Sequence, residues 1–116
     1  MNRTSALKTS IALAALLAGA GLATPSFALD ADAAQALAKK NDCFKCHAID
    51  KDKKGPSYQK IAKDNKGKAD AEAKVTKSIT TGPKVKLSDG TEEEHKKIEA
   101  KDPAQVKGLV QWILAQ

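Results

Sequence analysis

A chain of 116 residues with a formal net charge of +6, 41% hydrophobic but only 3% aromatic residues, has room for one small domain with a thin core. Every cation except Arg3 is a lysine, so the guanidinium forks that usually read phosphates and bases are all but missing, which argues against nucleic acid as a partner. Cys43 and Cys46 are separated by two residues and cannot staple distant loops, so any stabilising cross-link must come from something else.

Residues 1–28 read as a secretory signal peptide. Arg3 and Lys8 make a positive start, Ile11 to Leu22 form an apolar run, Pro25 breaks it, and Ser26-Phe27-Ala28 offers small residues to a signal peptidase. A membrane anchor is the alternative, but the run falls short of the roughly 20 apolar residues that a spanning helix needs. Export to the periplasm, cleavage after Ala28 and a monomeric domain over 29–116 without stable membrane insertion are therefore expected. Loss of Arg3 and Lys8 lowers the charge from +6 to +4.

The mature segment reads as all-α, with four to five helices and no strand, because no stretch alternates apolar and polar residues. Asp30 or Asp32 caps a first helix running to about Asn41, with Ala33, Leu37 and Ala38 on one face. Gly55-Pro56-Ser57 is a turn that opens a helix carrying Tyr58, Ile61 and Ala62, closed by Asn65-Lys66-Gly67. Asp70 caps a third helix with Ala71, Val75 and Ile79 at spacing four, and Gly82-Pro83 ends it. Lys84 to Gly90 reads as loop and Thr91 to Ala100 as one or two charged helical turns. Asp102-Pro103 starts the last helix, whose Val106, Leu109, Val110, Ile113 and Leu114 form the most regular apolar stripe in the chain.

Between the first two helices stands Cys43-Phe44-Lys45-Cys46-His47, a C-x-x-C-H run. Two thiols three positions apart can each form a thioether with one of the two haem vinyl groups, and the next residue then lies under the iron, with His47 as its ligand. A thioredoxin-like dithiol is one rival, but its βαβ setting is absent. A zinc site of Cys43, Cys46, His47 and His95 is another, but the two histidines are too far apart in sequence for a finger. An inert thiol pair is the third. The motif in an exported helical chain favours one covalent haem c per chain, which would also supply the missing core.

The sequence resembles the small bacterial class I cytochromes c. The matching pieces are Cys43 to Asp50, Lys54 to Ala62 and Val106 to Gln116, in the order found in that family. The resemblance implies a cytochrome c-like fold in which the first and last helices cross beside the haem, with Leu37 and Ala38 meeting Leu109, Val110 and Ile113. It also implies that the Pro56 carbonyl accepts the His47 Nδ1 proton, orienting the ligand and raising its basicity.

One departure stands out. Class I members usually fill the sixth iron position with a methionine before the last helix, yet the only methionine here is Met1. His95 is the one other histidine and lies in the corresponding region, with Ile98 three residues on. Alternatively His95 is a solvated residue in a charged helix, leaving the sixth site to a lysine or open. With His47 and His95 both bound, electron transfer remains as the function: a non-enzymatic periplasmic carrier between redox proteins with acidic docking surfaces. Such bis-histidine members suit low-potential chains, including those of iron-oxidising bacteria. The alternatives are a ligand-binding or sensing haem protein with a displaceable sixth ligand, and an electron-accepting cytochrome subunit of a dehydrogenase.

Overall fold

The computed structural model describes residues 30–116 together with Gly19 and Gly21. The remainder of residues 1–29, and so nearly all of the expected signal peptide, lies outside the described residues. Among the described residues there are four α-helices: α1 over Ala31–Lys40, α2 over Tyr58–Asn65, α3 over Ala71–Thr81 and α4 over Pro103–Leu114. None of the described helices is long and apolar enough to cross a membrane.

Local chemistry sets the ends of these helices. Asp30 caps α1 by accepting from the Asp32 amide, Ser57 caps α2 by accepting from the Lys60 amide, and Asp102 caps α4 by accepting from the Ala104 amide ahead of Pro103. Asp70 stands at the N-cap of α3 but makes no side-chain cap bond.

α4 is the centre of the fold and packs against α1, α2 and α3. Its Leu109, Val110, Trp112 and Ile113 are buried with Ala34 and Ala38 of α1, Tyr58 of α2, and Val75 and Ile79 of α3. Leu37 is half-buried against this cluster, whereas Ala33 is exposed, so the inward edge of α1 is Ala34 and Ala38 rather than the expected Ala33 face. Small residues there let α1 approach α4 closely; both alanines are fully buried.

The segment between α3 and α4 differs from the sequence reading. Lys84–Lys86 forms β1 and Glu92–Glu94 forms β2, paired antiparallel with Lys84 opposite Glu94 and Lys86 opposite Glu92. No helix forms over residues 91–100. The turn explains the change. The Asp89 carboxylate accepts from the Thr91 amide at 2.9 Å and from the Thr91 hydroxyl at 2.6 Å, and the Leu87 amide donates to the Thr91 carbonyl at 2.8 Å. An Asp-Gly pair at a hairpin tip outweighs helix propensity in the glutamate run, and opposite charges face each other across the ladder.

Candidate functional site

The C-x-x-C-H run leaves α1 through Asn41 and Asp42 into a 3₁₀ turn over Cys43–Lys45. The Cys46 amide donates to the Cys43 carbonyl at 3.2 Å and the His47 amide to the same carbonyl at 3.0 Å. This single turn puts two half-buried, unpaired thiols and an imidazole on consecutive corners. Burial raises the Cys43 thiol above its ordinary pKa, so it stays protonated at neutral pH.

His47 is held from three directions. Its Nδ1 lies 2.6 Å from the Pro56 carbonyl oxygen. A carbonyl only accepts, so Nδ1 carries the proton and Nε2 keeps its lone pair. Tyr58 stacks on the ring with centroids 5.3 Å apart and planes 29° apart. Gly55 backs it so closely that a β-carbon there would stand 2.8 Å from Cε1. Burial pulls the imidazole below its ordinary pKa, against the pull of the Pro56 carbonyl, so the ring is neutral and able to bind a metal.

The loop that carries Pro56 is itself fixed. The Gly55 amide donates to the Cys46 carbonyl at 2.9 Å, the Ser57 amide to the Asp52 carboxylate at 2.7 Å, and the Tyr58 amide to the Ala48 carbonyl at 2.9 Å. Tyr58 then packs edge-on to Trp112 at 5.1 Å and to Phe44 at 5.7 Å, joining the site to the core.

His95 follows directly on β2, half-buried, in a loop rather than in the expected helix. Its amide donates to the Pro83 carbonyl at 2.8 Å, and its Nδ1 lies 2.9 Å from the Lys96 carbonyl oxygen. As with His47, Nδ1 must donate, and Nε2 is left as the acceptor. The two imidazole centroids are 6.0 Å apart with planes at 43°. A metal ion bridging two imidazole nitrogens at roughly 2 Å each would separate the centroids by roughly 6.3 Å. The donor set, two imidazoles and two thiols, would suit a covalently attached haem iron. Ile98, expected to share a helical face with His95, instead donates its amide to the Ile79 carbonyl at 2.8 Å and packs against the core.

The rival metal reading loses its geometry. Among the described residues, no three or more His, Cys, Asp or Glu side chains are grouped to hold a metal ion by themselves, so a zinc centre of Cys43, Cys46, His47 and His95 is not assembled. Of the lysines that could replace His95, Lys96 is engaged with Asp42 at 2.8 Å. The sequence reading missed Tyr58 and Gly55 as parts of the site. The Gly55-Pro56 pair was the available signal for the second.

The chain as a whole is similar to known cytochromes c. The cytochrome c family model matches residues 31–116. The crystal structure of the class 1 cytochrome MtoD from Sideroxydans lithotrophicus ES-1 is 56% identical, with a TM-score of 0.72 over 76% of this chain and 97% of that one. Wild-type Nitrosomonas europaea cytochrome c552 is 30% identical, with a TM-score of 0.54 over 74% of this chain and 98% of that one. The N64 deletion mutant of that cytochrome is also 30% identical and gives a TM-score of 0.57 over 74% and 98%. No curated protein sequence matches.

Proposed function

Because this chain belongs to the cytochrome c family, as a class I electron carrier, we propose a specific form of that role: a periplasmic, monohaem carrier with His47 and His95 as its two axial ligands. Covalently held haem c supplies the one-electron iron couple when bound. Residues 1–28 serve as the signal peptide and 29–116 as the carrier domain.

One observation carries this reading: both imidazoles tie Nδ1 to a backbone carbonyl and leave Nε2 free, and the rings stand 6.0 Å apart. Each residue then has a defined task. Cys43 and Cys46 would hold the haem through thioethers. Pro56 holds the His47 proton and orients the ring. Tyr58, by stacking, and Gly55, by its close approach at Cε1, limit where the ring can lie. His95 would hold the iron's remaining site and leave no place for a substrate, which would make the protein a carrier and not an enzyme.

Two imidazoles without a sulfur ligand suit a lower potential than a histidine–methionine pair, which fits a low-potential or iron-oxidation chain. Lys39, Lys40, Lys45, Lys51, Lys53 and Lys54 flank the attachment turn and are exposed, a surface suited to transient docking on acidic redox proteins as a monomer.

Carbon monoxide added to the reduced holoprotein tests the ligation. An unchanged optical spectrum is expected for wild type and an immediate shift for His95→Ala. A wild type that binds carbon monoxide at once would replace this reading with that of a ligand-binding haem protein.

A further inference from the structure

We propose that Asn41 is a positioning residue that holds His95 in place from the end of α1, an inference that rests on His95 as the distal ligand. Asn41 and Glu99 are 58 positions apart in sequence, yet the Asn41 side-chain oxygen accepts from the Glu99 amide at 2.8 Å. The other end of the Asn41 amide donates to the Leu37 carbonyl at 2.9 Å. One half-buried side chain thus joins the last turn of α1, immediately before the attachment turn, to the loop that carries His95.

The bond to Leu37 is not what distinguishes this residue. The Asn41 backbone amide already donates to the Leu37 carbonyl, at 3.2 Å, and the Asp42 amide to the Lys39 carbonyl, at 3.1 Å, so α1 ends in order without the side chain. Its separate contribution is to the Glu99 amide. The loop it holds has few other anchors: Pro83 takes the His95 amide, Ile79 takes the Ile98 amide, and Asp42 takes the Lys96 ammonium. That ion pair is largely solvent-exposed and holds weakly.

The close approach of the loop to the end of α3 depends on Gly82. Its φ of +64° ends α3, and a β-carbon there would stand 2.9 Å from the His95 carbonyl and 3.1 Å from the Lys97 side chain. Gly82 therefore lets the loop lie close, and Asn41 draws it against α1. Between them, the Lys96 carbonyl that takes the His95 Nδ1 proton is fixed in space. Losing one such hydrogen bond multiplies the population of an open loop by roughly five to ten.

The test uses the holoprotein with four substitutions. Asn41→Ala removes the acceptor for Glu99. Asn41→Asp keeps an acceptor and loses the donor to Leu37, and its charge at the negative end of α1 lowers stability without releasing the loop. Gly82→Ala crowds the loop at the His95 carbonyl, and His95→Ala removes the ligand. The readouts are the high-spin fraction of the oxidised protein, the rate of carbon monoxide binding to the reduced protein, and the exchange rate of the Glu99 amide.

Asn41→Ala and Gly82→Ala should each raise carbon monoxide binding by roughly five- to tenfold. Glu99 exchange should accelerate in Asn41→Ala, and Asn41→Asp should stay near wild type in both rates although its melting temperature falls. If Asn41→Ala and Asn41→Asp open the site equally, or if Asn41→Ala lowers the melting temperature with no change in spectrum or ligand rate, the residue is merely structural and the proposal is overturned while His95 ligation stands. If His95→Ala leaves spectrum and ligand rate unchanged, the ligation itself is overturned and the proposal with it.

Discussion

Gly55 stands against His47 so closely that a β-carbon on it would lie 2.8 Å from Cε1 and 3.1 Å from Nδ1. The ring cannot retreat freely, because Tyr58 stacks on it and its Nδ1 is bonded to Pro56. Gly55→Ala should therefore shift or rotate the imidazole, at a cost of about 1–3 kcal/mol from overpacking. Thermal melting of the holoprotein measures the loss, and a displaced axial-ligand signal in electron paramagnetic resonance locates it. A variant with wild-type resonance and stability would show that the loop yields instead of the ring.

The two thiols are expected to differ little in necessity. Cys43→Ala and Cys46→Ala should each leave a single thioether and sharply reduce the yield of haem-loaded protein. Mass spectrometry of the exported protein checks this: wild type should carry one haem that acid–acetone does not extract. Extractable haem in wild type would contradict covalent attachment.

Leu109 is 1% exposed and lies where α4 meets the buried cluster. Leu109→Ala should cost about 2–5 kcal/mol through lost burial and a residual cavity. It is not a hydrogen-bond partner of either imidazole, so the spectrum should keep its ligation signature while the denaturant midpoint falls. That pattern separates loss of core from loss of site.

What was legible in the sequence divides along a physical line. Residues whose signal is local could be read. Cys43, Cys46 and His47 form one motif, Asp102-Pro103 is a cap, and the Leu109, Val110 and Ile113 stripe is one helical face. The hairpin of β1 and β2 was missed because its strands are three residues each and too charged to alternate, although Asp89-Gly90 carried the turn signal. The glutamate run suggested helix by propensity, but cross-strand pairing and the Asp89 turn prevailed. The bond from Asn41 to Glu99 could not be read at all, because nothing at either position names the other. His95 could be singled out only by elimination, and its approach to His47 emerged from the fold.

Asp42 gives a pH dependence with a defined sign. Its carboxylate bonds to Lys96 and Lys45, which lowers its pKa below the ordinary carboxylate range in the folded state. A depressed folded pKa means stability that is present above the unfolded pKa and is lost as pH falls through the folded one. Asp42→Asn is the suitable comparison, since Asp42 has a φ of 59° and asparagine tolerates that left-handed backbone. Wild type should be the more stable of the two at pH 7, and the gap should close in acid below the usual carboxylate range. Denaturant midpoints at a series of pH values measure the gap. A gap independent of pH would show that the ion pairs contribute nothing.

The lysines around the attachment turn give the last prediction. Lys39, Lys40, Lys51 and Lys54 are exposed, while Lys45 is paired with Asp42 at 3.1 Å and Lys53 donates to the Phe44 carbonyl at 2.6 Å. The residues freest to steer a partner are thus Lys39 and Lys40 at the end of α1 and Lys51 and Lys54 in the loop ahead of Pro56. Steering by such a patch raises association rates by about 10–10³-fold and decays once the screening length shrinks to a few ångströms. Electron transfer to an acidic redox partner should therefore slow steeply as ionic strength rises. Lys40→Glu and Lys54→Glu should each lower the second-order rate at low salt and flatten its salt dependence. Lys77→Glu, on α3, adds the same charge elsewhere and serves as the control. Equal losses in all three variants would indicate that net charge alone sets the rate and that no docking face exists around the attachment turn.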